Sequence, residues 1–378
     1  MVWPKPDISN RVKLPKKLQF VKWLLFFIIL TLITGIAFFL ISKHDSGTPQ
    51  WTFIAKGMII PIVLGSIAIS VRIYIYGLAL EKYEIWQHEV AHINQNWQLW
   101  AMQSLIVLDS HCILPNSLTA EKILNDRANL DVTIDKSLAF SDNFELKQHL
   151  ESILFSMRGV LSQLPETESI NITIYSSPQA YGSYFDSEIE QVYKTAKIDQ
   201  SYTLSHHIIT YTDAECLTQW IDNGQSALQL IIINNTLSSS DTAFLCAFLL
   251  MDKDRYQKLA LDIAKAEILR PMITTDMDKG IEQMVEIQSA MQQVEQFWFS
   301  NLDEQQESKL IDKLARSNFS FEEIYKLGIL VGNQTQLSYW LALALGSEMV
   351  TQTGKNNFIA AISQNQWLFT VLTGVDKK

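Results

Sequence analysis

The apolar pair at the start of the chain constrains everything that follows it. Trp23–Ile41 reads WLLFFIILTLITGIAFFLI and carries no charge. A bilayer core of roughly 30 Å needs about twenty helical residues to cross it. Inside lipid every backbone amide must find its partner within the segment, so this run can only be a helix. A soluble core helix of this length would show a polar face, and this one shows none. The second run, Gly57–Val71, becomes long enough to span when counted to Tyr76, with Arg72 reaching back to the headgroups. Trp23, Trp51, Tyr74 and Tyr76 flank the pair as interfacial aromatics do.

Flanking bases set the orientation. Lys5, Arg11, Lys13, Lys16, Lys17 and Lys22 precede the first span against one acid, Asp7. The turn Ser42–Lys56 has only Lys43 and Lys56. The positive-inside rule then places the N-terminus in the cytoplasm of a bacterial inner membrane, and two spans return the chain to the same side. A cleaved signal peptide fits less well, because the apolar run is too long and Ile41-Ser42-Lys43-His44 is a poor cleavage site. The expected order is a basic tail 1–22, spans at 23–41 and 57–76 around a periplasmic loop 42–56, a connecting helix 78–110, and a cytoplasmic domain 111–378.

About 300 residues remain beyond the anchor, enough for one large domain or two small ones. The chain is acidic overall, with 30 Lys and Arg against 40 Asp and Glu. Its bases concentrate in the tail, so nucleic acid is excluded as a partner of the body. Cys112, Cys216 and Cys246 are odd in number and far apart, which fits a reducing compartment rather than a disulfide framework. No internal repeat stands out.

Leu78–Leu108 has no Gly after Leu78 and no Pro, and Trp86, Val90, Ile93, Trp97, Trp100, Ser104 and Leu108 recur every three or four residues. That spacing predicts one long amphipathic helix whose tryptophans, Trp86, Trp97 and Trp100, pack against protein, either the body or a second copy of the chain. Further on, a capped helix is expected over Leu118–Leu124 and an amphipathic one over Phe144–Leu164, with others over Ala214–Trp220, Tyr256–Ile268, Gly280–Phe297, Ser308–Ala315, Phe321–Lys326 and Leu337–Leu345. Strands are expected at Leu130–Ile134, Ile170–Tyr175, His206–Tyr211, Leu228–Asn234, Phe358–Ile362 and Trp367–Leu372. Ser239–Met251 is open between helix and strand. Alternating elements point to a membrane-anchored α/β protein whose soluble domain is built on a mixed sheet.

One motif carries chemistry by itself. His88-Glu89-Val90-Ala91-His92 is HExxH, which on a helix sets two imidazoles on one face to hold Zn²⁺ while the glutamate acts on a bound water. It resembles the motif of membrane-embedded zinc metallopeptidases. Against a metal site, no third ligand is marked. At about 1.5 Å per residue His111 lies roughly 28 Å from His92 along a straight helix. His88 and His92 also share their face with Glu81, Glu84 and Gln95, the pattern of a solvated side. His206 and His207 are adjacent in a strand, so their rings face opposite sides. No P-loop, dinucleotide fingerprint or GxSxG occurs. Tyr181–Phe185 reads as a surface turn with exposed aromatics.

The basic tail, short-looped helix pair, Trp-rich helix and Leu114-Pro115 turn before an α/β domain resemble accessory inner-membrane proteins of bacterial type VI secretion systems. Some proteins in that setting look like degenerate thiolase or ketoacyl-synthase folds, to which Leu228–Asn234, Ser240–Met251 and Arg270-Pro271 are similar. The reactive cysteine motif of that family is absent, so the resemblance implies a fold without its chemistry. The expectation is a non-enzymatic scaffold without cofactor, docking other membrane-complex proteins or a second copy. The alternative is a zinc endopeptidase with His88 and His92 as ligands and Glu89 as general base.

Overall fold

The computed structural model describes residues 2–4, 6, 8, 11–42, 50–182, 185–212, 214–224, 227–237, 240–317, 319 and 323–375. Lys5, Asp7, residues 43–49 of the loop 42–56, Phe321 and part of the Tyr181–Phe185 turn lie outside these residues. The chain divides into two units, Lys5–Trp97 and a body made of Gln98–Lys378 together with Met1–Pro4.

The first unit holds α1 (Phe20–Ser42) and most of α2 (Gln50–Ala101). Both are long and apolar enough to cross a membrane, with mean hydropathy 2.9 and 2.1. Their apolar side chains, among them Leu24, Ile28, Ile60 and Leu64, are exposed. Small residues let the pair approach: a Cβ on Gly57 or Gly65 would overlap the ring of Phe38 or Phe27. The second span and the connecting helix, expected as 57–76 and 78–110, are one helix of 52 residues. It ends at Ala101, short of the expected 110, because the next apolar run pairs as a strand.

That strand is β1 (Ser104–Ile113). After it come α3 (Ala120–Asn125), α4 (Leu146–Leu161), β2 (Ile170–Ser176), α5 (Phe185–Ala196), β3 (Tyr202–Ile208), α6 (Glu215–Asn223), β4 (Leu228–Asn235) and β5 (Phe244–Asp252). The second part runs α7 (Lys253–Lys258), β6 (Ala266–Leu269), β7 (Met272–Thr274), α8 (Met277–Ile287), β8 (Val294–Ser300), α9 (Glu304–Arg316), β9 (Glu323–Lys326), α10 (Leu327–Leu330), α11 (Ser338–Thr353), β10 (Asn356–Ser363) and β11 (Gln366–Thr373). Five expectations are corrected here. Residues 130–134 form a loop tied by the Thr133 amide to the carbonyl of Ile329, Glu323–Lys326 is a strand, Tyr256–Ile268 breaks after a short helix into β6, the helix expected over Gly280–Phe297 stops at Ile287 and gives way to β8, and the strand expected at His206–Tyr211 is Tyr202–Ile208.

Sheet order exposes a repeat that the residues conceal. The strands run β3-β2-β4-β5-β1-β6-β11-β10-β8-β9, with β7 beside β11. In the first half, β2, β3 and β4 are parallel while β5 is antiparallel to both β4 and β1. In the second, β8, β9 and β10 are parallel while β11 is antiparallel to both β10 and β6. Numbered within its own half, each reads 3-2-4-5-1. The first strands, β1 and β6, pair antiparallel at the join, as strands related by a twofold axis through the seam must.

The cores follow from this. One cluster lies under α4 and α5 on one face of the first half. The other gathers α3, α6 and α11 with residues of both half-sheets, such as Phe248 and Ile231 from the first and Trp298 and Ile359 from the second. The helices α6 and α11 are therefore the filling between the halves. α11 is apolar nearly all round, as a helix with protein on every side must be.

Candidate functional site at the seam of the two halves

α6 and α11 each follow the third strand of their half. Their second residues, Cys216 and Tyr339, hold equivalent places at the two N-termini. They belong to one core cluster. Burial pushes the Tyr339 phenol well above its ordinary pKa, the hydrogen bond with Thr370, at 2.6 Å, opposes that, and Cys216 adds a smaller upward push. Cys216 is a buried thiol outside any disulfide. A helix N-terminus presents unpaired amides and a positive dipole end, which favour a thiolate over a thiol.

Beside this helix start is a cavity of about 180 Å³ lined by Tyr211, Thr212, Ala214 and Glu215 from the first half and by Ile273, Ser363, Gln364 and Leu368 from the second. Its walls are tied across the seam. The Thr212 amide donates to Ser363 Oγ at 3.1 Å, and the Thr212 hydroxyl donates to the carbonyl of Gln336. Side-chain oxygens hold the turns nearby: the Gln364 backbone amide donates to Gln336 Oε1 at 3.2 Å, and the Asn301 backbone amide to Gln334 Oε1 at 2.6 Å. The turn carrying Gln364 has positive φ at Gln364 and Asn365, 49° and 61°, the conformation of a two-residue hairpin between β10 and β11.

The far end of α6 is pinned as firmly. Fully buried Arg270 donates to Asp222 at 2.6 Å, to Gln103 Oε1 at 2.8 Å and to the Trp100 carbonyl at 3.0 Å. Its guanidinium stacks 4.0 Å over the Trp100 ring. Trp3 meets the same indole edge-on at 6.0 Å.

The residues singled out from sequence lie elsewhere. His88, Glu89 and His92 are exposed on α2, with His92 Nδ1 3.3 Å from Asn96. Among the described residues no group of three or more His, Cys, Asp or Glu is placed to hold a metal. Trp86 is half-buried beside Tyr83, and Trp97 is 8% exposed. Trp100, expected with the others to pack against the body or a second copy, is half-buried and stacks on Arg270. Cys216 had no signal of its own, since its place depends on a fold-level symmetry.

No family model and no curated protein matches the chain. Solved structures do. The chain is similar to a type II polyketide ketosynthase in complex with its acyl-carrier protein and bound to a hexaketide, at TM-score 0.53 and 9% identity, over 72% of this chain and 100% of that one. It is also similar to Xanthomonas campestris OleA (TM-score 0.43, 8% identity, 72% and 99% covered) and to the tetronic acid condensing enzyme AbyA1 (TM-score 0.46, 12% identity, 71% and 100% covered). The likeness to the ketosynthase corrects both functional expectations, the non-enzymatic scaffold and the zinc peptidase built on His88, Glu89 and His92: the body has the fold of a condensing enzyme. The body is a mixed α/β domain that resembles thiolase-like condensing enzymes.

Proposed function

We propose that the body is an acyl-transfer enzyme held at a membrane, with Cys216 as the acyl acceptor. The observation that supports this reading is the place of the thiol, at the N-terminus of one of two twofold-related central helices and beside a cavity shared by both halves. The neighbours' names supply the substrate class, acyl groups carried as thioesters. In the step inferred, the Cys216 sulfur bonds to the acyl carbon of an incoming thioester while that carbon's bond to the donor sulfur breaks. The departing thiolate takes up the proton that Cys216 gives. The dipole of α6 favours the attacking thiolate, and the cross-seam bonds of Thr212 hold the cavity wall in place.

Intact-mass spectrometry tests it. The full chain incubated with an acyl-coenzyme A thioester is expected to gain the acyl mass, to lose it to hydroxylamine, and to gain nothing as Cys216→Ala. An unmodified wild type, or a Cys216→Ala protein acylated as fast, overturns the reading.

The anchor belongs to the same proposal. α1 and α2 form a two-span hairpin, so the tail and the body share one side of the membrane. Trp3 supports this: its indole donates to the Pro271 carbonyl at 3.2 Å and its own carbonyl accepts from Gln283 at 3.3 Å.

A further inference from the structure

On the face of the first half-sheet that α5 covers, three side chains from three elements meet in a fixed order. Ser176 closes β2, His206 stands near the end of β3, and Asp186 lies in the first turn of α5. Parallel register pairs Ile174 with His206 and Ser176 with Ile208, so Ser176 and His206 are diagonal neighbours on one face. Ser176 Oγ is 2.8 Å from His206 Nε2, and His206 Nδ1 is 3.0 Å from Asp186 Oδ1. The carboxylate fixes the imidazole proton on Nδ1, which leaves the Nε2 lone pair to accept from the serine hydroxyl.

The surroundings suit an acyl group. The rings of Tyr181 and Phe185 lie 4.5 and 5.4 Å from the imidazole. The His206 side chain is 5% exposed, whereas Asp186 is 57% exposed and marks the open side. That side is the carboxyl end of parallel strands, where loops leave the sheet and ligands bind in α/β folds. Strand pairing already joins β2 to β3, so a structural tie between them needs no ordered serine, histidine and carboxylate.

We propose that Ser176, His206 and Asp186 form a second site, a serine esterase acting on small carboxylic esters with a short acyl or aryl group. Ser176 Oγ bonds to the ester carbonyl carbon as its proton passes to His206 Nε2. The bond from that carbon to the alkoxy oxygen breaks, and Nε2 returns the proton to the departing alcohol. Water then adds to the acyl carbon, giving a proton through Nε2 back to Ser176 as the acid leaves. The Tyr181 ring, 4.5 Å from the imidazole, leaves room beside it for small esters only.

The test is labelling of the full chain with a fluorophosphonate, made in a Cys216→Ala background so that failure here is separable from failure of the thiol reading. A phosphonyl adduct is expected on the peptide containing Ser176. It is expected to form faster as Tyr181→Ala, to vanish as Ser176→Ala, and to slow by roughly 100-fold or more as His206→Asn. No adduct on Ser176 with Tyr181 either present or removed, in protein with an unchanged melting temperature, overturns the proposal, as does an adduct whose rate ignores His206. Mapping the adduct in otherwise native protein decides the matter even if the Ser176 variant fails to fold.

Discussion

Asp109 and Glu348 stand near the same ammonium, Lys265, yet are pushed in opposite directions. Burial raises the Asp109 carboxyl, but the hydrogen bond and charge of His111 at 3.2 Å and of Lys265 at 2.5 Å outweigh it and leave it below its ordinary 3.8. Burial raises Glu348 above its ordinary 4.5, and the charges of Lys265 and His111 only reduce that rise. The linkage signs differ accordingly. Asp109 stabilises the fold above the unfolded carboxyl's pKa, and that contribution is lost as pH falls through its lower folded value. Glu348 destabilises as pH rises past 4.5 toward its higher folded value. Thermal melts should therefore show that Asp109→Asn removes part of the acid-side loss of stability below about pH 4, and that Glu348→Gln raises the melting temperature at pH 7 more than at pH 4. Among the histidines, strand alternation alone separated the rings of His206 and His207. The structure puts one under α5 with Ser176 and the other 5.7 Å from Tyr175. The bond to Asp186 was invisible, because it comes from a helix whose docking no local pattern encodes.

At the scale of elements, α11 packs tightly on the sheet. A Cβ on Gly346 would sit 2.8 Å from Leu372 Cδ1 and 3.4 Å from Ile359 Cδ1, so helix and sheet meet there nearly backbone to side chain. Gly346→Val is expected to cost about 1–3 kcal/mol through overpacking, read as a lower melting temperature, with Gly346→Ala milder. Gly332 is constrained differently: at φ 82° an added Cβ would run into the carbonyl oxygen of Lys136, so Gly332→Ala should destabilise through both strain and collision. The clearest elements in the sequence were those with an unambiguous period or a fully apolar run. α4 shows its helical stripe of Leu150, Ile153, Leu154, Met157 and Leu161, and β4 is buried along its whole length. Ser104–Ile113 and Ala266–Leu269 were misread because short apolar runs satisfy both periods. Their strand state comes from pairing with residues far away in the chain, Ser104 with Leu269 and Cys112 with Cys246.

At the scale of the whole molecule, two facts organise the body: the repeated 3-2-4-5-1 order and the return of the N-terminal tail. The repeat escaped the sequence because the halves share topology and no visible residue pattern. It brings the starts of α6 and α11 together at the seam, and thereby makes Cys216 a candidate. The return of the tail gives a direct check on the anchor. Reporters fused before Val2 and after the body should read out in the same compartment. Trp3→Ala should leave the melting of the body nearly unchanged while speeding proteolysis of the tail, since one buried indole and two hydrogen bonds hold it. Opposite compartments for the two reporters would remove the hairpin.

Taken alone, the sequence determined two helices long and apolar enough to cross a membrane, the class of the body and the separation of its two histidine rings, because those depend on length, polarity and a period of a few residues. Only the tertiary structure decided that the chain repeats itself, that Cys216 follows directly on Ala214 and Glu215 in the wall of a shared cavity and that Ser176, His206 and Asp186 meet. Those arrangements are set by packing between residues tens to hundreds of positions apart, and contacts at that range leave no trace in the spacing of neighbours.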